Sequence, residues 1–187
     1  CVDERPVGGG YQIYSPCTSC VDAETARFFA ARGFVAVSVA YRLGSDRGYA
    51  PANYSRANYT NKFGNAWAPD AAAMFAATAD AAAAAAYARE ELGLGCVLAA
   101  GSSAGATSAL SLGVDGAAAY FDGDARVAGV LALSGTVDAV DAVDATAWLR
   151  GGGAPLFLAS GDADGVNAYA NSAWIAENYN GSAALWT

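Results

Sequence analysis

Apolar residues along this chain gather in short runs that alternate with longer amphipathic or alanine-rich stretches. The short runs are rich in β-branched and aromatic residues, have the length of buried strands, and lie at residues 34–41, 96–100, 127–133, 155–159 and 183–186. Residues 5–7 fit the end of a further strand. Between the runs the pattern predicts helices at residues 22–32, 70–92, 104–112, 140–149 and 166–179. Strands that alternate with helices predict an α/β fold, with a mostly parallel sheet covered by helices on both faces.

The bulky apolar side chains of the first two helices are expected to pack in the core. These side chains are Phe28, Phe29, Met74, Phe75 and Tyr87. The alanine-rich composition of the second helix favours helix by intrinsic propensity. Cys96 lies in an apolar run, so it is expected to be a small buried residue.

The length and composition predict one folded domain over residues 1–187. Hydrophobic residues make up 55% of the chain and charged residues 15%, which excludes a disordered protein. No internal repeat or linker is visible. Residues 44–69 form the main irregular stretch and carry five aromatic residues, a pattern typical of a functional loop or of simple loop packing.

Charge and hydropathy narrow the choice of partners. The net charge is −8 and the only lysine is Lys62, so the surface repels nucleic-acid phosphates and anionic membranes. The most apolar stretch, residues 71–88, is mostly alanine and is interrupted by Asp80, so it suits a packed helix better than a membrane span.

The four cysteines do not determine whether the protein is secreted or intracellular. Cys17 and Cys20 have C-x-x-C spacing, but the chain has no second such pair and no histidine to complete a zinc site. We therefore expect a loop pair and no bound metal. Three N-x-S/T sequons, at Asn53, Asn58 and Asn180, favour a secreted protein, although so short a pattern often occurs by chance.

A G-x-S-x-G motif is the strongest chemical signal in the chain. It runs from Gly101 to Gly105, with Ser103 at its centre, between the run at residues 96–100 and the helix predicted from Ala104. In this arrangement the serine hydroxyl stands at the tip of a strained strand-to-helix turn. The helix amides and dipole favour negative charge beside it, so Ser103 is a candidate nucleophile.

Two further segments fit acyl-transfer chemistry. Gly8, Gly9 and Gly10 follow the possible strand at residues 5–7, and backbone amides of consecutive glycines can approach an oxyanion. A flexible turn explains the triplet equally simply. After the run at residues 155–159, the segment 160–165 (SGDADG) offers a carboxylate that could orient a histidine, with a plain Asp-Gly turn as the alternative. Asp138, after the preceding run, is the rival acid.

In this order the segments resemble the α/β-hydrolase fold, in its esterase and lipase branch with an H-G-G-G oxyanion motif. The resemblance covers nearly the whole chain and is carried by PVGGGY, ARGFVAVSVAYRLG, CVLAAGSSAGATSAL, VAGVLALSGTVD and PLFLASGDADGVNAYAN. It implies that Ser103 is the nucleophile, Asp164 the acid, and the amides of Gly9, Gly10 and Ala104 the oxyanion hole. It also implies hydrolysis of a small carboxylic ester through an acyl-enzyme, without a metal or organic cofactor.

The chain departs from the family pattern most clearly in its lack of histidine. Val7 stands in place of the histidine of H-G-G-G, and Ser160 in place of another that is frequent in the acid loop. The family's triad runs serine, acid, histidine, and the resemblance places the histidine after the strand at residues 183–186. We therefore expect a fragment of an active esterase, cut at both ends, whose base lies beyond Thr187.

Two other functions fit parts of this pattern. A hydrolase-fold binding protein that has lost catalysis shares every feature except the histidine. A nucleotide or phosphate binder also uses glycine-containing turns before helices. However, neither GGGYQI nor GSSAGATS matches the dinucleotide or P-loop pattern.

Overall fold

A computed structural model describes residues 21–42, 71–119, 121, 125–137 and 145–187. Within these ranges the helices are α1 (Val21–Ala30), α2 (Ala71–Glu90), α3 (Ala104–Gly113), α4 (Asp115–Ala118), α5 (Ala145–Gly151) and α6 (Tyr169–Asn178). The strands are β1 (Leu98–Ser102), β2 (Gly129–Leu133), β3 (Leu156–Ala159) and β4 (Ala183–Trp186). None of these helices combines the length and hydropathy needed to cross a membrane.

The four strands form one parallel sheet in the order β1-β2-β3-β4. Their last residues are in register, so the whole sheet ends at one level. The amide of Ser103 donates to the carbonyl of Leu133 at 2.9 Å, and the amide of Ser134 to that of Ala159 at 2.7 Å. The segments that follow β1, β2 and β3 therefore all begin at the same carboxyl edge of the sheet. In open α/β sheets, ligand-binding and catalytic residues lie at this edge.

Helices α3 and α6 pack against the sheet and close the core. α3 contacts β1 and β2, while α6 contacts β3 and β4. The largest fully buried side chains lie on these layers and on the segments that join them: Leu110, Val114, Leu149, Leu158 and Ile175. Alternate strand residues point to the other face of the sheet, where Leu98, Phe157 and Trp186 are exposed.

Most predicted elements are present with shifts of a few residues at their ends. The run at residues 183–186 is β4 without any shift. The run at residues 34–41 is not assigned to a strand, and Val35 and Val37 are exposed. A strand is defined by a hydrogen-bonded neighbour, and no described strand pairs with this run, although its composition is that of a strand. The sequence pattern does not predict helix α4, because four residues are too few to show a helical period.

Three expectations about buried side chains were wrong. Phe28 is half exposed, and the guanidinium of Arg32 covers its ring at 3.4 Å from the centroid. Tyr87 is also more than half exposed, because α2 packs against α3 through small residues instead. Cys96 is exposed just before β1, so it is not a core residue. Cys17 and Cys20 lie outside the described residues.

An ion pair holds the end of the run at residues 34–41 against α2. The Nε and Nη2 atoms of Arg42 reach Oδ1 of Asp80 at 3.0 and 2.8 Å. The backbone amide of Arg42 donates to Oδ2 of the same carboxylate at 2.8 Å. The aspartate that interrupts the apolar run of α2 is therefore an anchor for another segment.

Replacing Asp80 by alanine should weaken the fold moderately. The change removes a bidentate partner and a backbone acceptor, but the pair is partly exposed, so we expect a loss of about 1–2 kcal/mol in the free energy of unfolding. Urea unfolding followed by circular dichroism measures it. Glu90→Ala, at an exposed position on the same helix, is the matched control with an expected change within about 0.5 kcal/mol. Equal effects would show that the ion pair stabilises nothing.

Candidate active site

Ser103 lies in the turn between β1 and α3. Its backbone has φ 53° and ψ −117°, a conformation that L-residues rarely adopt. Its amide donates to the carbonyl of Leu133, and its carbonyl accepts a hydrogen bond from the amide of Thr107 at 3.0 Å. The strand, the turn and the helix predicted around G-x-S-x-G are therefore all present, and the turn is held on both sides.

The first glycine of the motif is required by a close approach of two backbones. A Cβ at Gly101 would lie 2.2 Å from the carbonyl carbon of Gly105 and 2.7 Å from the amide nitrogen of Ala106. Such distances are far inside van der Waals contact. The strand can turn into α3 this sharply only because residue 101 has no side chain.

Asp164 lies in the loop after β3, at the same edge of the sheet as Ser103. Its Oδ1 accepts the backbone amides of Val166 at 2.8 Å and Asn167 at 2.9 Å. Partial burial alone would raise the pKa of Asp164, but these two amides bind the carboxylate and the hydroxyl of Ser134 also favours its charged form. Together they hold the pKa below its ordinary value. The group is therefore ionised at neutral pH, as the acid of a triad must be.

Asn167 connects the loop between β3 and α6, which contains Asp164, to Ser103. Its Nδ2 lies 3.4 Å from Oγ of Ser103, while its own backbone amide is bound by Asp164. Ser103 and Asp164 are thus joined through one intervening residue. Sequence reasoning singled out neither Asn167 nor Ser134, since their positions depend on how separate strands line up.

Comparison with solved structures finds the same architecture in esterase 2 of the Planctomycetes species Thermogutta terrifontis. The form phosphoramylated by tabun matches with a TM-score of 0.64 at 20% sequence identity, over 99% of this chain and 72% of that one. The apo form gives 0.64 and 20%, over 99% and 73%. The form phosphorylated by paraoxon gives 0.62 and 20%, over 99% and 72%. This chain has the α/β-hydrolase fold.

At this level of identity the match to the esterase shows the α/β-hydrolase fold alone. No protein-family model matches the sequence, and no curated protein sequence matches it. Gly9 and Gly10, the other predicted oxyanion donors, lie outside the described residues, as does the rival acid Asp138. Ala104 is described, and it begins α3 directly after Ser103. The catalytic and oxyanion roles of these residues stay predictions.

Ser134 is a second strained serine at the carboxyl edge of the sheet. It follows β2 directly, has φ 51°, and its hydroxyl contributes to lowering the pKa of Asp164. Its position, level with Ser103 at the end of the neighbouring strand, depends on the strand register, which no single segment of the sequence shows. Within the described ranges, no three histidine, cysteine or carboxylate side chains lie close enough together to hold a metal ion.

Ser134→Ala should raise the pKa of Asp164, because it removes a hydroxyl that donates to the charged carboxylate. A lowered folded-state pKa stabilises the protein above the unfolded-state pKa, and this contribution disappears as the pH falls through the folded value. The variant should therefore lose part of the stability that the lowered pKa of Asp164 contributes at neutral pH. Carboxyl ¹³C NMR titration measures the shift. Ser182→Ala, before β4 at the opposite edge, is the control; an unchanged titration in Ser134→Ala would refute the contact.

Proposed function

We propose that the protein is a serine hydrolase of carboxylic esters, with Ser103 as the nucleophile and Asp164 as the triad acid. One observation carries the proposal. Ser103 stands in a strained strand-to-helix turn at the carboxyl edge, in contact with the loop that holds an ionised carboxylate. A serine in such a turn presents its hydroxyl to solvent and to the start of the helix, where developing negative charge is stabilised.

The chemistry of the structural neighbour supports a covalent route. Esterase 2 of Thermogutta terrifontis is phosphorylated by paraoxon, phosphoramylated by tabun and phosphonylated by sarin. Organophosphorus esters react in this way with an activated enzyme nucleophile, the group that forms an acyl-enzyme with ordinary esters. By analogy, the same reagents are informative probes for Ser103.

The proposed reaction is acyl transfer. The ester carbonyl oxygen points at the amides of Ala104, Gly9 and Gly10, and Ser103 Oγ attacks the carbonyl carbon while its proton passes to a base. The alcohol leaves with that proton, and an acyl-enzyme forms. Water then attacks the acyl group, returns a proton to the serine and releases the carboxylic acid.

The base is proposed to be a histidine that the 187 residues do not contain. Chain that follows β4 emerges at the carboxyl edge, since Trp186 is in register with Ala159. The distance from β4 to β1 is three strand spacings, about 14 Å, which about four to five extended residues can span. Oγ of Ser160, beside Trp186, is buried without a hydrogen-bond partner in the described part of the chain, and it suits a further polar group there.

Extending the reading frame past Thr187 and assaying the product tests the proposal. We expect a histidine within the next few tens of residues, and hydrolysis of a short-chain p-nitrophenyl ester by the extended protein. The 187-residue chain alone should be nearly inactive, because loss of the base from a triad costs roughly six orders of magnitude in turnover. No histidine in the extension would refute the proposed triad.

The second candidate is a catalytically inactive binding protein with the hydrolase fold. The absence of histidine from the sequence favours it. Such a protein would bind an ester or a carboxylic acid in the same site without turnover. An extended chain that binds an aryl ester by calorimetry but releases no nitrophenol would support this alternative.

A further inference from the structure

The contact between Asn167 and Ser103 joins two parts of the chain that are each held rigidly. On one side, Oδ1 of Asp164 accepts the amides of Val166 and Asn167, which fixes the backbone of the loop just before α6. The carbonyl of Ala168 then accepts the amide of Asn171 at 2.8 Å as the helix begins. The backbone from which the side chain of Asn167 projects is therefore set by the carboxylate of the proposed triad acid.

On the other side, the backbone of Ser103 has no freedom to adjust. Its amide is bound to Leu133, and its carbonyl accepts both the amide and the hydroxyl of Thr107, at 3.0 and 3.3 Å. The hydroxyl of Thr107 also accepts the amide of Thr136 at 3.3 Å, which ties α3 to the loop after β2. With both backbones fixed, the orientation of the Ser103 hydroxyl depends on what its oxygen contacts.

We propose that Asn167 is a positioning residue for the nucleophile. Its amide N–H donates to Ser103 Oγ and holds the hydroxyl oxygen toward the acid loop, the side from which a triad base approaches. An amide cannot accept the serine proton, so Asn167 leaves that proton for the base. While the proton leaves Oγ for the base, the oxygen gains alkoxide character and becomes a stronger acceptor for this hydrogen bond; the charge then passes to the carbonyl oxygen as the new bond forms. This inference rests on the proposed function, since it requires Ser103 to be the nucleophile.

Stoichiometric labelling by paraoxon tests the inference on the extended protein that carries the proposed histidine. Ser103 Oγ forms a bond to phosphorus, the bond from phosphorus to the nitrophenyl oxygen breaks, and nitrophenolate leaves while the serine proton passes to the proposed base. Intact-protein mass spectrometry measures the rate in excess paraoxon over hours, and peptide mapping locates the diethylphosphoryl group. Labelling needs a base to activate Ser103 but no turnover, so its rate reports on the nucleophile itself.

Asn167→Ala and Asn167→Asp should both label about tenfold more slowly than the unaltered chain at neutral pH. The aspartate is close in size to asparagine but cannot donate when ionised. As the pH falls and that carboxyl group is protonated, it regains an O–H donor, so the rate of Asn167→Asp relative to the unaltered chain should rise. A purely structural role would not produce this pH dependence. Thermal unfolding by circular dichroism checks that the variants fold.

Asn178→Ala is the matched control. Its Nδ2 donates to the carbonyl of Trp174 at 2.9 Å within the same helix, near the end opposite the site, so its labelling rate should not change. If Asn167→Ala labels at the unaltered rate while Ser103→Ala does not label, the inference fails and the proposed nucleophile stands. If Ser103→Ala labels as fast as the unaltered chain, the proposed function and the inference both fail.

Discussion

Ser103→Ala is expected to lower the turnover of a short-chain aryl ester by roughly six orders of magnitude in the protein that includes its histidine. Without the hydroxyl no acyl-enzyme can form, and only uncatalysed attack by water helped by the oxyanion amides remains. The fold should be preserved, because among the described residues the hydroxyl oxygen makes one long contact, with Asn167 at 3.4 Å. Release of nitrophenolate, followed by absorbance, measures turnover.

Ser102→Ala is the control for that experiment. Ser102 is the last residue of β1 and occupies the variable position of the motif, so the two variants differ by one place in the chain. Turnover of Ser102→Ala should stay within a few-fold of the unaltered protein, as at other sites away from the chemistry. If instead Ser103→Ala kept most of the activity, Ser103 would have no part in bond making.

Gly101→Ala is expected to cost about 3 kcal/mol or more in the free energy of unfolding. The added Cβ would meet the carbonyl carbon of Gly105 at 2.2 Å, its oxygen at 2.3 Å and the amide nitrogen of Ala106 at 2.7 Å. All three atoms belong to the backbone, so no side-chain rotation can relieve the clash. β1 and α3 would have to move apart, which opens the core that they share. Urea unfolding measures the loss.

Gly95→Ala provides the comparison for Gly101→Ala. Gly95 precedes β1, and a Cβ there would have no atom within 4 Å. The change should leave the free energy of unfolding within about 1 kcal/mol, since it alters mainly the entropy of the unfolded chain. Similar losses in the two variants would mean that the close approach of Gly101 to Gly105 does not exist in solution.

The sequence could predict the parts of the site that depend on neighbouring residues. The turn at Ser103 needs a glycine two residues before the serine and a helix directly after it, and both are visible in ten residues of sequence. The loop that carries Asp164 was predicted in the same way, because it follows an apolar run of strand length, and the resemblance to the family then singled out Asp164 within that loop. These local patterns, repeated along the chain, were also enough to predict a parallel sheet.

Contacts between distant loops could not be predicted. Ser134 lies near Asp164, and Asn167 contacts Ser103, only because the strands end at one level. The register of a parallel sheet is not encoded in any one segment. The packing of α2 was missed for a different reason. Its alanines give no periodic signal, and close contact with α3 buries Ala76 and Ala77 while Tyr87 faces outward.

The strained backbone conformations of Ser103 and Ser134 lower the stability of the fold at the site where we propose catalysis. Among the described residues, Ser103 and Ser134 are the only non-glycine residues with positive φ, and each conformation costs on the order of 1–3 kcal/mol. Glycine at either position would adopt the same backbone at little steric cost. A lineage released from selection for turnover would therefore gain a more stable fold from Ser103→Gly, the substitution that removes the proposed nucleophile. Inactive descendants of this protein should be easier to evolve, and harder to unfold, than improved catalysts.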